Sequence, residues 1–244
     1  TKSVGSSGRA YIPRYYSAGG LHYVHVYLPD GTLQGYINVS QSTYGWIHDI
    51  VDDGIYCYIF GSSGAQKWRL SDLNLIKSST SIAQTAGGRV FIHNGKAYRS
   101  RASYIIDEFD LESFAQVKAI STPKLNLLQW MDEEGNFYGN GSSQIVKYNF
   151  IGEEVFAVNP FSGANVNGNN FIMSISEKRG TLFVTYGNST LSTGYLSEIN
   201  KNTGAVIQTI NVKSASAVDG WECQLPGINE GLIVVKIRKS FILF

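Results

Sequence analysis

Charge is scarce in this sequence. Asp, Glu, Lys and Arg make up 16% of the 244 residues, against about a quarter in ordinary soluble domains, and the net charge is +1. No long basic run occurs, so the electrostatic footprint of a nucleic-acid binder is missing. No apolar stretch approaches the roughly 18 residues that a membrane-spanning helix needs. Cysteine is limited to Cys57 and Cys223, with no CxxC pair and no His/Cys cluster at zinc spacing. Cys57 lies in the apolar run Ile55–Phe60, which points to a buried thiol; a long-range disulfide is the open alternative. Histidine is limited to His22, His25, His48 and His93. His22 and His25 stand three apart in one expected strand and so face opposite sides, poor geometry for a shared metal. Gly5-Ser6-Ser7-Gly8 and Gly61-Ser62-Ser63-Gly64 lack the spacing of a nucleophile elbow and read as flexible loops. There is no phosphate-binding glycine loop, so neither a metal nor a cofactor is implied. The chain opens on Thr1 with no visible leader, as expected of a processed product or one part of a longer protein.

Aromatic residues and glycine are abundant: Tyr 15, Phe 12, Gly 26, within a hydrophobic fraction of 43%. That mixture suits many short strands joined by tight turns. It also repeats. A turn ending in glycine precedes a β-rich run at Gly8, Gly54, Gly95, Gly135, Gly180 and Gly231, with spacings of 46, 41, 40, 45 and 51 residues. A second marker keeps phase with the first. Leu28–Leu33, Leu70–Leu75, Phe109–Phe114, Tyr148–Val155 and Ile199–Val206 each place a polar turn between two apolar flanks. They read as the hairpins between the third and fourth strands of each unit. Asp110, Asn149 and Asn200 open equivalent turns, where a short polar side chain satisfies nearby backbone N–H groups. Runs such as Ile55–Phe60, Thr181–Tyr186 and Leu232–Val235 are apolar on both faces, as strands covered twice should be.

Units of this length fit the four-stranded blades of a β-propeller. The expected fold class is all-β, a propeller of five four-stranded antiparallel blades, with six as the alternative and little or no helix. Residues 1–244 then form one domain. Residues 41–80, 81–122, 123–159 and 170–213 read as complete blades. The N-terminus supplies strands two to four of another blade. Residues 217–244 supply the terminal strands expected to close a shared blade. Pro160–Asn170 reads as a long loop. Residues 198–210, Glu-Ile-Asn-Lys-Asn-Thr-Gly-Ala-Val-Ile-Gln-Thr-Ile, resemble the D-x-x-T-G-x-V hairpin of quinoprotein-like propeller repeats. No Gly-His…Trp-Asp pair is present, so the resemblance is to propellers outside the WD-repeat class. It implies an architecture and no particular activity, because propellers host lectins, hydrolases, lyases and scaffolds.

Asp52-Asp53-Gly54 and Asp132-Glu133-Glu134-Gly135 occupy the same turn of the repeat that elsewhere reads His93-Asn94-Gly95 or Lys178-Arg179-Gly180. A position open to carboxylate, amide or cation reads as a solvated turn. Three sequons, at Asn38, Asn140 and Asn188, are what a chain rich in Asn, Ser and Thr contains by chance. The innermost strands carry the sharper pattern. Trp46, His48 and Asp49, then Gln129, Trp130 and Asp132, then Trp221, Glu222 and Gln224 place a tryptophan near a carboxylate. An indole face with amides and acids beside it suits a sugar. The competing reading wedges the tryptophans between blades as core.

The function expected is a non-catalytic binding or adhesion module that recognises a glycan or a protein partner on a cell or virion surface, outside the cell. A carbohydrate-active enzyme is the second reading, with Asp49, Asp132 and Glu222 as the carboxylates to test. A scaffold filling a place in a larger assembly is the third.

Overall fold

The computed structural model describes residues 3–16, 20–80, 82, 89–101, 104–141, 144–160, 171–178, 180–188, 193–213, 234–237 and 240–243. The chain divides into two compact units, Thr1–Ile120 and Ser121–Phe244.

The first unit holds three four-stranded sheets, each a meander of consecutive neighbours. They are β1 (Ser3–Val4), β2 (Ala10–Tyr16), β3 (Leu21–Tyr27) and β4 (Leu33–Ser40); β5 (Ile47–Asp52), β6 (Tyr56–Gly61), β7 (Ala65–Arg69) and β8 (Leu75–Ser79); and β9 (Val90–His93), β10 (Lys96–Arg101), β11 (Ile105–Asp110) and β12 (Gln116–Ser121). A single turn of helix, α1 (Gln41–Tyr44), joins the first sheet to the second. The second unit holds β13 (Leu127–Met131), β14 (Phe137–Asn140), β15 (Ile145–Tyr148) and β16 (Glu154–Val158), then β17 (Phe171–Lys178), β18 (Thr181–Asn188), β19 (Thr193–Asn200) and β20 (Val206–Lys213). A two-stranded sheet, β21 (Val234–Ile237) with β22 (Ser240–Leu243), ends it. Five four-stranded sheets among the described residues match the five repeats expected. Pattern alone accounts for three strands of the first repeat. The fourth is β1, two residues that pair Ser3 with Tyr11 and Val4 with Ala10. Residues 161–170 and Gly231 lie outside the described residues.

Both repeat markers have a structural cause. Gly8, Gly54, Gly95, Gly135 and Gly180 all adopt left-handed φ, between 70° and 91°, a conformation that costs a side-chain-bearing residue free energy and glycine nothing. At the third-to-fourth turns, Asp110 Oδ1 accepts from the N–H groups of Glu112 and Ser113. Asn149 does the same for Ile151 and Glu153, and Asn200 for Asn202 and Thr203.

The doubly apolar strands are covered on both faces. Cys57 and Ile59 of β6 pack with Tyr11, Val24, Val26, Ile37 and Val39 of the first sheet. Tyr58 and Phe60, pointing the other way, pack with Val90, Ala97, Phe109, Leu111 and Phe114 of the third. Cys57 is a buried thiol, and burial pushes its pKa up, with the Asp52 charge adding to the effect. Cys223 lies outside the described residues. In the second unit Tyr138 and Ile145 meet Leu182, Val184 and Ile199. Each such side chain contributes about 1.5–3 kcal/mol when removed from water. β3 alternates instead, with His22, Val24 and Val26 buried and their neighbours half-buried. His22 and His25 therefore do point to opposite faces.

Two expectations about turns are corrected. Asp52 and Asp132 sit in the expected turns, but they are buried, while Asp53, Glu133 and Glu134 are exposed. Asp52 accepts hydrogen bonds from Tyr11 Oη at 2.6 Å, Ser7 Oγ at 2.8 Å, and Ser6 Oγ and Ser7 N at 2.9 Å. Gly5–Gly8 is thus an ordered turn closed on a carboxylate of the next sheet. A Cβ on Gly5 would fall 1.6 Å from Asp52 Oδ2. Asp132 accepts from the Asn136 and Glu134 backbone N–H groups, the Asn136 amide and Tyr138 Oη. Burial raises the Asp132 pKa, but those donors together with Lys201 lower it further, and the net direction is down.

Replacing Asp52 by Ala should destabilise the chain by about 2–4 kcal/mol, because three side-chain donors lose a buried acceptor. Urea unfolding would measure it. Asp132 contributes stability that is present above about pH 4 and is lost as pH falls through its depressed folded-state value. Asp132→Asn should therefore flatten the acid limb of a plot of urea midpoint against pH.

Candidate functional site

The structure places the sequence-derived candidates in three environments. Trp46 is 53% exposed. Trp130 packs as a partly buried ring against the core of the second unit, with Tyr138 and Ile145. Gln129 is half-buried at a β-bulge between Leu128 and Trp130. Trp221, Glu222 and Gln224 lie outside the described residues. The carboxylates are tied to the backbone. Asp49 Oδ1 accepts from Ile50 N–H at 2.9 Å, and its Oδ2 accepts from Val90 N–H at 2.8 Å, joining the second sheet to the third. Asp132 holds its own turn, as described above. His48 is half-buried; burial lowers its pKa, and the nearby Arg99 charge lowers it further.

Trp46 belongs to a constructed site. The chain leaves β4, makes the single turn α1, and closes it with Gly45 N–H donating to Gln41 O at 2.8 Å. Gly45 is left-handed, φ 71°. Trp46 N–H then donates to Ser62 Oγ at 3.1 Å, and Trp46 O accepts from Ser62 N–H at 3.0 Å. Ser63 N–H donates to Tyr44 O at 3.1 Å, and the Gly61–Gly64 turn is closed by Gly61 N–H on Gly64 O at 2.8 Å. A Cβ on Gly61 would meet Tyr44 O at 2.1 Å, and one on Gly64 would meet Ser79 O at 2.5 Å. The Gly61–Gly64 segment is therefore a tight clasp on the Tyr44–Trp46 backbone, a correction to the flexible loop expected.

The indole held there meets two rings from the first sheet. Tyr15 and His22 are cross-strand partners on β2 and β3. Ring centroids lie 5.1 Å apart for Tyr15–His22, 4.9 Å for Tyr15–Trp46 and 5.2 Å for His22–Trp46. The three rings form a nearly equilateral triangle, with Tyr15 44% exposed and His22 4% exposed at its base. Tyr15 Oη donates to Gln41 Oε1 at 3.2 Å. His22 Nε2 is buried without a hydrogen-bond partner among the described residues. Burial lowers the His22 pKa, so the ring is neutral at neutral pH. Trp46 stands out from its local sequence, whereas Tyr15, His22 and Gln41 do not. The available signal was the pairing of Tyr15 with His22 across a short hairpin, 24 or more residues upstream of Trp46.

A second polar group lies between the second and third sheets. Arg99 is buried, its guanidinium 5.1 Å from the Phe109 ring centroid and 6.0 Å from that of Phe60. Arg101 pairs with buried Asp107 at 3.3 Å. Burial raises the Asp107 pKa against the two arginine charges. Of the sequon asparagines, Asn38 is exposed on β4, whereas Asn140 is buried and could not carry a glycan in the folded chain.

No family model and no curated protein matches the sequence. Solved structures do match. Over 92% of this chain and 71% of the other, the fold aligns at a TM-score of 0.64 and 12% identity with KlHsv2 whose loop 6CD is replaced by a Gly-Ser linker. A chain of the Mitotic Checkpoint Complex aligns at 0.65 and 14% identity, over 97% of this chain and 69% of that one. BamB from Moraxella catarrhalis aligns at 0.54 and 9% identity, over 96% and 81%. These neighbours are β-propeller proteins, and the fold of this chain is that of a β-propeller.

Trp46→Ala removes a half-exposed ring and should shift the unfolding free energy by less than about 1 kcal/mol. Gly61→Ala forces a Cβ onto a backbone carbonyl and should cost about 1–3 kcal/mol. It should also change the near-UV circular dichroism of the aromatic cluster, which Trp46→Phe at the same site serves to calibrate.

Proposed function

We propose that this propeller is a non-catalytic binding module that recognises a glycan or protein partner on a cell or virion surface. The observation that carries the reading is the Trp46–Tyr15 pair. Two large rings are left about half exposed, and the backbone that carries Trp46 is held by three glycines and five hydrogen bonds. Rigid aromatic surface of this kind gives large contact area at little entropic cost on binding. In this reading residues 1–244 form one domain, of the non-WD, quinoprotein-like type, on the strength of the 198–210 hairpin. An extracellular place fits a sequence poor in charge.

The scaffold reading draws support from one neighbour being a chain of a multi-protein complex. The enzymatic reading is weaker. A glycosidase needs two carboxyl groups facing the scissile bond, and Asp49 and Asp132 each spend both oxygens on the protein's own donors.

A glycan array and a panel of surface proteins, probed with the labelled chain, test the proposal. Capture of a partner without turnover, lost on Trp46→Ala and kept on Asp49→Asn, is the expected outcome. Hydrolysis of a captured glycan that Asp49→Asn abolishes would replace the binding module by an enzyme.

A further inference from the structure

We propose that the Tyr15–His22–Trp46 triangle is a saccharide subsite that takes an uncharged pyranose ring, with a sugar hydroxyl bonded to His22 Nε2. The inference rests on the binding-module reading and names the ligand class of the same site.

Three observations carry it. The first is the apolar platform. Trp46 and Tyr15 are each about half exposed, with centroids 4.9 Å apart and ring planes tilted by 51°. A pyranose offers a patch of C–H groups of matching size to such a face. The second is the buried polar atom beneath. His22 is 96% buried by its 4% exposure, yet Nε2 has no partner among the described residues. A buried polar atom without a partner costs about 1–3 kcal/mol, so a ligand that satisfies it gains what the free protein lacks. A hydroxyl serves either tautomer, because it donates to a bare nitrogen and accepts from an N–H. The clasp fixes the Trp46 backbone but not its side-chain torsions, so Nε2 is reached when the half-exposed Tyr15 and Trp46 side chains swing apart.

The third observation is electrostatic. No ion pair or hydrogen bond from a charged side chain reaches the triangle among the described residues; its hydrogen-bond partners are Gln41 and Ser62. Only burial moves the His22 pKa, and it moves it down. A carboxylate or phosphate would find no countercharge there and would pay desolvation for nothing in return. A neutral ring keeps its hydrogen bonds through Nε2, the unspent Gln41 amide donors and the Tyr15 oxygen. The site therefore discriminates against anionic sugars by lacking a partner for their charge.

The test titrates the full chain with a panel of methyl pyranosides (glucose, galactose, mannose, fucose and N-acetylglucosamine) beside glucuronate and N-acetylneuraminate, read by saturation-transfer NMR. Saturation transfer to at least one neutral glycoside, at least tenfold weaker for both anionic sugars, is expected. Trp46→Ala should weaken it tenfold or more. His22→Phe, which keeps an aromatic ring and deletes the nitrogen, should weaken it about tenfold, the worth of one hydrogen bond. His22→Gln, which restores a polar tip, should recover part of that loss and guards against a folding defect in the Phe variant. Binding of no neutral glycoside, a preference for the anionic sugars, or equal binding by His22→Phe overturns the proposal. If no sugar binds but Trp46→Ala releases a surface-protein partner, the saccharide assignment falls and the binding module stands. If Trp46→Ala alters neither, both fall.

Discussion

A four-stranded sheet that is apolar on both faces cannot shield itself from water. In β6 the side chains of Cys57 and Ile59 enter one core and those of Tyr58 and Phe60 enter another. The strand is stable only between two neighbours. The described cores accordingly lie in seams between consecutive sheets, with Tyr11, Val24 and Ile37 answering Ile50 and Leu70 across one of them. Each hairpin is too small to bury its own surface, and stacking supplies what the single unit lacks. The phase of the repeat follows from this constraint. A unit with a strand missing would leave a row of unpaired backbone groups along one edge of a seam.

Polar groups in the seams obey a matching rule. Lys67 on β7 and Lys147 on β15 occupy equivalent third strands, each paired across the ladder with a tyrosine, Tyr58 or Tyr138. Both ammonium groups sit near that ring, at 5.7 Å and 5.2 Å, and Lys67 is closer still to Tyr56, at 4.1 Å. Both then reach the third-to-fourth turn of the following sheet: Lys67 to Glu112 at 2.5 Å, Lys147 to Lys201 O at 3.3 Å. The tyrosine hydroxyls complete the pattern by donating to Asp53 and Asp132 in the first-to-second turns. The ring faces offset part of the cost of burying an ammonium group. The repeat thus joins neighbouring sheets by the same tyrosine–lysine device twice.

Much of the fold was legible because its signals are local. Left-handed glycines, Asx turns and doubly apolar strands are all written within a dozen residues, and four of the five sheets fall within the blade bounds read from them. What escaped was non-local. The two-residue β1 carries no periodic pattern, and only its pairing with β2 makes Ser3–Val4 a strand. Asp52 looked solvated because its donors Ser6, Ser7 and Tyr11 stand 41–46 residues upstream. The candidate site divided along the same line. Trp46 and Trp130 have similar local sequence, each within three residues of an aspartate, yet one is about half exposed and the other packs partly buried against a core. The difference lies in what faces them: Tyr15 and His22 for one, Tyr138 and Ile145 for the other.

Exposure alone would not single out Trp46. Ile55, Phe150 and Ile151 are exposed to 64%, 60% and 51%, and lone apolar residues at turn tips are ordinary. Trp46 differs in its support. Ser62 engages both its backbone N–H and its carbonyl, and the turn that carries Ser62 tolerates no Cβ at either end. The indole also packs on the ring of His22, whose buried Nε2 finds no hydrogen-bond partner among the described residues. A rigid support is wasted on a ring that only decorates a surface, and a covered but unsatisfied nitrogen is a cost that core packing would normally remove. Both features become useful together if something from solution lies on the rings and reaches the nitrogen between them.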